Sequence, residues 1–138
     1  ETAMLVGGVA GHAGLFSTAE DLSRFARMLL GGGTLDGVTL LQPETIARFT
    51  AREGTVGESS RAIGWDTRSV EGYSSAGTKF GPRAFGHTGF TGTSMWFDPD
   101  AQIFAILLTN RVHPTRDNSK VGGVRASYAD LVYDALVQ

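Results

Sequence analysis

The sequence predicts an α+β fold, an antiparallel sheet portion of about three strands packed with helices, and three observations lead to that class. Ser94 to Phe97 and Gln102 to Asn110 are apolar-rich runs joined by Asp98-Pro99-Asp100, a turn signal that sets up a tight antiparallel pair. Ser119 to Val137 places Val121, Val124, Tyr128, Leu131, Val132, Ala135 and Leu136 on one stripe of a long helix. A second amphipathic helix follows Ser17-Thr18, well before the first of these strands. A sheet and helices that each carry one apolar face must be layered against one another.

Composition narrows the possibilities. The 138 residues suit one domain with a modest core. Apolar residues make up 41% of the chain, which is on the globular side. No apolar run approaches the roughly eighteen residues that a membrane helix needs. A net charge of -2 with scattered Lys and Arg gives no basic stripe, so nucleic acid is not an expected partner. Cysteine is absent, which removes disulfides and thiolate metal sites. The chain starts Glu1-Thr2-Ala3-Met4-Leu5, without an initiator Met or a charged stretch before an apolar one, as a processed protein or a fragment would. Three strands are few for a free-standing core, and an unpaired sheet edge invites either further chain or self-association.

In chain order, Gly7-Gly8-Val9-Ala10-Gly11-His12-Ala13-Gly14 is a glycine-dense loop. It lacks the spacing, the preceding strand and the lysine of a nucleotide-binding loop. Ser17-Thr18-Ala19-Glu20-Asp21 is a helix start in which Thr18 pairs with Asp21 or Ser17 with Glu20. Leu22, Phe25, Met28, Leu29 and Leu30 form the inward face, and Gly31-Gly32-Gly33 ends the helix. Thr34 to Leu41 is extended and broken at Asp36-Gly37, a hairpin turn. Pro43 opens a further helix with Ile46 and Phe49 directed inward. Arg52 to Arg61 and Glu71 to Arg83 are loops, and Ala62-Ile63-Gly64-Trp65-Asp66 between them is a strand. Residues 1–138 form a single partial domain, mainly helical over 1–50, with the sheet and the last helix in 61–138.

The chemistry is expected in Phe85-Gly86-His87-Thr88-Gly89-Phe90-Thr91-Gly92-Thr93-Ser94-Met95-Trp96-Phe97. Glycine recurs there every third residue, with an imidazole and hydroxyls between, which lets a ligand approach main-chain N–H groups closely. His87-Thr88-Gly89, opening a strand that hairpins into Ile103 to Asn110, resembles the third motif of serine β-lactamases and penicillin-binding proteins. That motif is usually Lys-Thr-Gly, with His often first in class C-like esterases and D-aminopeptidase-type relatives. Gly14 to Phe25 with Leu29-Leu30, Leu40 to Thr45 and Gly64-Trp65 are similar, in order, to the same series.

The resemblance implies the C-terminal segment of a β-lactamase/transpeptidase-like fold, and a periplasmic, secreted or cell-envelope site of action. It also implies site roles. The backbone N–H of Phe90, beside Gly89, is one oxyanion donor, and His87 stands in for the motif lysine. Thr88 meets a substrate carboxylate or the catalytic pair. Thr91, Arg116 and Asn118 are substrate-binding candidates, with Arg116 first among the polar residues after the last strand. No serine here has Lys three residues later, and no tyrosine opens a Tyr-x-Asn motif. The implied parent therefore carries those motifs on preceding chain, and this chain by itself is expected to be inactive. No cofactor is expected. The three histidines lack metal-ligand spacing, and His12 and His113 suit structural and surface roles.

Two functions from different classes follow. One is acyl-enzyme hydrolysis of an amide, ester or β-lactam bond, on a small-molecule or peptide substrate, together with the missing N-terminal half. The other is a non-catalytic peptide-binding or assembly module that takes an extended partner on its open strand edge.

Overall fold

The computed structural model describes residues 2–8, 15–52 and 59–137. His12 and most of the loop around it lie outside the described residues, as does the middle of the loop between Arg52 and Arg61. A helical turn, α1 (Thr2–Leu5), precedes α2 (Ala19–Leu30). Of the two possible caps, Thr18 is the one used: its Oγ1 accepts the Asp21 amide at 3.1 Å. β1 (Thr34–Leu35) and β2 (Val38–Thr39) pair across Asp36-Gly37, with φ of 50° and 80° at the two turn residues, as expected from sequence. α3 (Pro43–Thr50) starts at its proline.

The main sheet is antiparallel with four strands in the order β3 (Asp66–Thr67), β4 (Phe85–Thr88), β5 (Ser94–Asp98), β6 (Ile103–Leu107). α4 (Val121–Leu136) packs on β6. Alternation along the strands separates two cores. Trp96, Ile103 and Ala105 join Ala76, Phe80, Ala84 and Ala129 under α4. Phe85 and Phe97 join Ala26, Met28 and Leu29 of α2 on the other face, with Trp65, Met95 and Phe104 beside them. Phe85 stacks on Phe97 at 4.7 Å between ring centres, and Trp65 meets both rings edge-on. The sheet is thus covered by a helix on each face, and the α+β class stands.

Four particulars differ from the sequence reading. β4 adds a strand to the three expected, because Gly86 breaks the apolar alternation that would mark it. The glycine is required by contact: a Cβ there would come within 2.3 Å of the Met95 carbonyl and 2.6 Å of the Trp96 ring. The strand placed at Ala62 to Asp66 is instead Asp66–Thr67. Ahead of it Gly64 adopts φ 79° and the Ala62 amide donates to the Trp65 carbonyl at 2.9 Å, closing a turn. The inward faces of the helices are rotated. Phe25 and Phe49 are exposed while Ala26 is fully buried, and on α4 the sheet side carries Tyr128, Ala129, Val132 and Tyr133 with Leu131 and Leu136 exposed. Finally, His87-Thr88 closes β4 and does not open a strand.

The loop from Glu71 to Arg83 is tied down by two carboxylates. Asp98, 1% exposed, accepts the amides of Gly81, Asp100 and Ala101 at 2.6, 3.0 and 3.0 Å. Asp130 of α4 accepts the amides of Thr78 and Lys79 at 2.7 and 3.0 Å. Among the described residues no helix is long and apolar enough to cross a membrane.

Replacing Gly86 by alanine forces β4 away from the Trp96 ring. Equilibrium urea denaturation of the Gly86→Ala variant is expected to show a loss of about 1–3 kcal/mol, the usual cost of overpacking, and an unchanged midpoint would contradict the contact.

Candidate active site

β4 ends at Thr88, and residues 89–93 turn the chain into β5. The registers Thr88↔Ser94 and Gly86↔Trp96 set where that turn begins. Within it the Gly89 amide donates to the Thr93 carbonyl at 2.8 Å and the Gly92 amide to the Gly89 carbonyl at 3.0 Å.

Side chains from two distant elements complete the turn. Arg125 of α4 donates through Nη2 to the carbonyls of Gly89 and Thr93 at 2.6 and 3.0 Å, and through Nε to that of Gly92 at 3.2 Å. Arg111, just after β6, donates through Nε to the Phe90 carbonyl at 2.9 Å and through its main-chain N–H to the Thr91 carbonyl at 2.8 Å. Every carbonyl from Gly89 to Thr93 is therefore an acceptor. The N–H groups of Phe90 and Thr91 have no hydrogen-bond partner among the described residues. Two successive N–H groups of the turn, those of Phe90 and Thr91, are thus left for a ligand to meet.

The predicted site residues divide between the two faces of the sheet. His87 follows Phe85 on the α2 face and Thr88 follows Gly86 on the α4 face, so the two side chains do not form a side-by-side pair. His87 is exposed. Its Nδ1 lies 2.9 Å from the Thr88 carbonyl, which can only accept, so Nδ1 carries a proton there. Nε2 lies 3.4 Å from Arg61 Nη1, and that guanidinium also pairs with Asp66 at 2.9 Å. Thr88 lines a cavity of about 230 Å³ with Asp66, Thr67, Tyr73, Trp96 and Arg125. Trp96 Nε1 is buried there without a hydrogen-bond partner among the described residues.

Phe90 projects outward, 64% exposed, with the Arg111 guanidinium 4.7 Å and that of Arg116 5.8 Å from its ring centre. Thr91 is exposed and is held through its carbonyl. Asn118 accepts the Lys120 amide at 3.1 Å through Oδ1, and its carbonyl receives Arg111 Nη1 at 3.3 Å. Arg116, ranked first from sequence, is thus brought to the turn through the Phe90 ring. Arg111 and Arg125 make the direct contacts with the turn's backbone.

The sequence does not single out Arg125, because it falls within a helix and outside any motif. The signal was present: it sits three, four and seven residues before Tyr128, Ala129 and Val132, a cation in register with the buried stripe. Burial pulls its guanidinium below the ordinary arginine value. The nearby Tyr73 hydroxyl opposes that shift and the Arg111 cation adds to it. An arginine remains cationic at neutral pH even so. The Tyr73 hydroxyl, which donates to the Gly122 carbonyl at 2.8 Å, is raised by burial in turn.

Comparison with known proteins places this geometry in context. The family profile described as Beta-lactamase matches residues 1–130. Proteins from Salmonella paratyphi B and Salmonella newport, provisionally named D-alanyl-D-alanine carboxypeptidase, are 38% identical to this chain over 120 residues. The match takes in 84% of this chain but only 27% of theirs. Among solved structures, a β-lactamase from Mycobacterium bovis superposes with a TM-score of 0.70 at 21% identity, over 88% of this chain and 45% of that one.

Arg111→Met keeps the side-chain stem and removes the fork that binds Phe90, Arg116 and Asn118. It is expected to cost about 1–2 kcal/mol, discounted for exposure, and to speed amide exchange across residues 89–93. Unchanged exchange there would show that Arg111 does not hold the turn.

Proposed function

Because this chain belongs to the β-lactamase family, we propose that it supplies the oxyanion-binding strand of an acyl-transferring serine hydrolase, as one part of a longer domain. The chain spans 27% of the length of the curated relatives it matches, so the nucleophilic serine and its activating lysine are assigned to the remainder of the protein. The observation that carries the reading is the Phe90 amide. It has no hydrogen-bond partner among the described residues and lies in the turn just after β4, whose His87 is open to solvent.

In the proposed reaction the serine Oγ attacks the substrate's acyl carbon, its proton passes to the activating lysine for later delivery to the leaving group, and the carbonyl electrons move onto oxygen. That oxygen is met by the Phe90 N–H and by the serine's own N–H. Collapse expels the amine or alcohol, which takes up a proton, and leaves an acyl-serine. Water then attacks the ester, releasing the acid and restoring the serine. His87 holds the polar network beside the reacting groups, and its imidazole lacks the fixed charge of the motif lysine. Thr88 hydrogen-bonds the substrate, Gly89 keeps the approach uncovered, and Thr91, Arg116 and Asn118 line the substrate's far side.

The name carried by the Salmonella relatives favours a peptide ending in D-alanine over a simple ester. Such a substrate brings a carboxylate toward the cations around Phe90 and a cell-envelope site of action. The chain alone, with no serine followed three residues later by Lys, is inactive on this reading.

Against a Phe90→Ala control that loses the ring but keeps the N–H, Phe90→Pro removes the N–H from the proposed oxyanion site. In the full-length protein it should lower kcat by about 10²–10³-fold, while a serine-directed fluorophosphonate still labels the wild type. The present chain by itself should take no label. A stoichiometric adduct on the isolated chain, or full activity in the Phe90→Pro protein, would defeat the proposal.

A further inference from the structure

We infer that Arg125 is a positioning residue that fixes and polarises the peptide group whose N–H is the oxyanion donor. The inference rests on the reading of Phe90 given above and concerns how its amide is held. The carbonyl of Gly89 and the N–H of Phe90 belong to one peptide unit, and in a planar trans peptide they point in opposite directions. Whatever grips the Gly89 oxygen therefore aims the Phe90 hydrogen.

Two donors grip that oxygen: the Gly92 amide at 3.0 Å and Arg125 Nη2 at 2.6 Å. The same guanidinium holds the carbonyls of Gly92 and Thr93. The peptide cannot rotate about its long axis without breaking a charge-assisted bond in a partly buried setting, where such bonds are strongest. A flipped peptide would present the Gly89 oxygen to the developing oxyanion in place of an N–H. It would also leave Arg125 without its shortest contact. The cation acts through the bond as well, since charge drawn toward the carbonyl oxygen makes the N–H at the other end of the unit a better donor.

Nothing else among the described residues replaces it. Arg111 holds the next peptide, through the Phe90 carbonyl, and so leaves the orientation of the Gly89–Phe90 unit to Arg125 and Gly92. The anchor reaches from α4, which is long and packed on β6. The donor's direction is thus set by a rigid element and not by the exposed turn itself.

The test uses the full-length protein, a p-nitrophenyl ester for turnover and phenylboronic acid as the tetrahedral-adduct probe, with thermal melting to follow folding. For Arg125→Met, kcat is expected to fall on the order of 10²-fold, with KM within about threefold of wild type because the ground-state carbonyl draws little on the donor. Boronate affinity should fall alongside kcat. Arg125→Lys, which can reach one carbonyl and keeps the charge, should recover part of the loss and serves as the reporter if the methionine variant does not fold. A folded Arg125→Met protein with wild-type kcat and boronate affinity, or a loss confined to KM, would overturn the inference while leaving the oxyanion role of Phe90 intact. Wild-type kcat in Arg125→Lys with Arg125→Met unfolded would also overturn it. A wild-type protein that neither hydrolyses the ester nor takes fluorophosphonate would instead defeat the oxyanion reading itself.

Discussion

The contact between Gly86 and the Trp96 ring is the constraint from which the rest of the arrangement follows. With no side chain at 86, β4 lies flat against the indole and pairs Phe85 with Phe97 and Thr88 with Ser94. A slip of one residue would carry Phe85 from the α2 core to the α4 face and put a glycine where two phenylalanine rings now stack. The same register fixes the last paired residues of the hairpin, and so the length of the turn at 89–93. The core and the site are two consequences of one strand alignment.

What the turn then does is decided by which of its backbone groups are already bonded. Two arginines from different elements, with amides of the turn and a hydroxyl of Thr109, supply donors to five successive carbonyls. For the Gly89 and Phe90 carbonyls, planar peptide geometry leaves the Phe90 and Thr91 N–H groups facing the other way. The proposed oxyanion role draws on this fixing, because an oxyanion is stabilised most by dipoles that need not move when it forms.

The sequence made the layering, the capped α2, the Asp36-Gly37 hairpin and the Asp98-Pro99-Asp100 turn legible, because each is written in neighbouring residues. It also brought out His87-Thr88-Gly89 and Phe90, since a glycine-spaced polar stretch stands apart locally. β4 was hidden because the glycine that lets it pack is the residue that erases its pattern. Phe25 and Phe49 read as inward because periodicity gives a helical face but not which neighbour covers it. The opposite orientation of His87 and Thr88 follows from strand alternation, yet only after the strand is known to end at 88. Arg125 lies more than thirty residues from the carbonyls it holds, a pairing that depends on where α4 crosses the sheet.

Placing two cations beside one turn has a cost, and the burial and mutual repulsion that lower the Arg125 value express it. A lysine pair would meet the same repulsion with fewer directed bonds. The guanidinium fork lets Arg125 spread its charge over three carbonyl dipoles and Arg111 over the Phe90, Arg116 and Asn118 oxygens. Among the described residues each cation is thereby met by carbonyl dipoles and by no carboxylate. Where the Gly89 and Phe90 carbonyls accept these guanidinium groups, planar peptide geometry turns the Phe90 and Thr91 N–H ends the other way, so the solvation of the arginines and the turn's unbonded donors are a single structural fact.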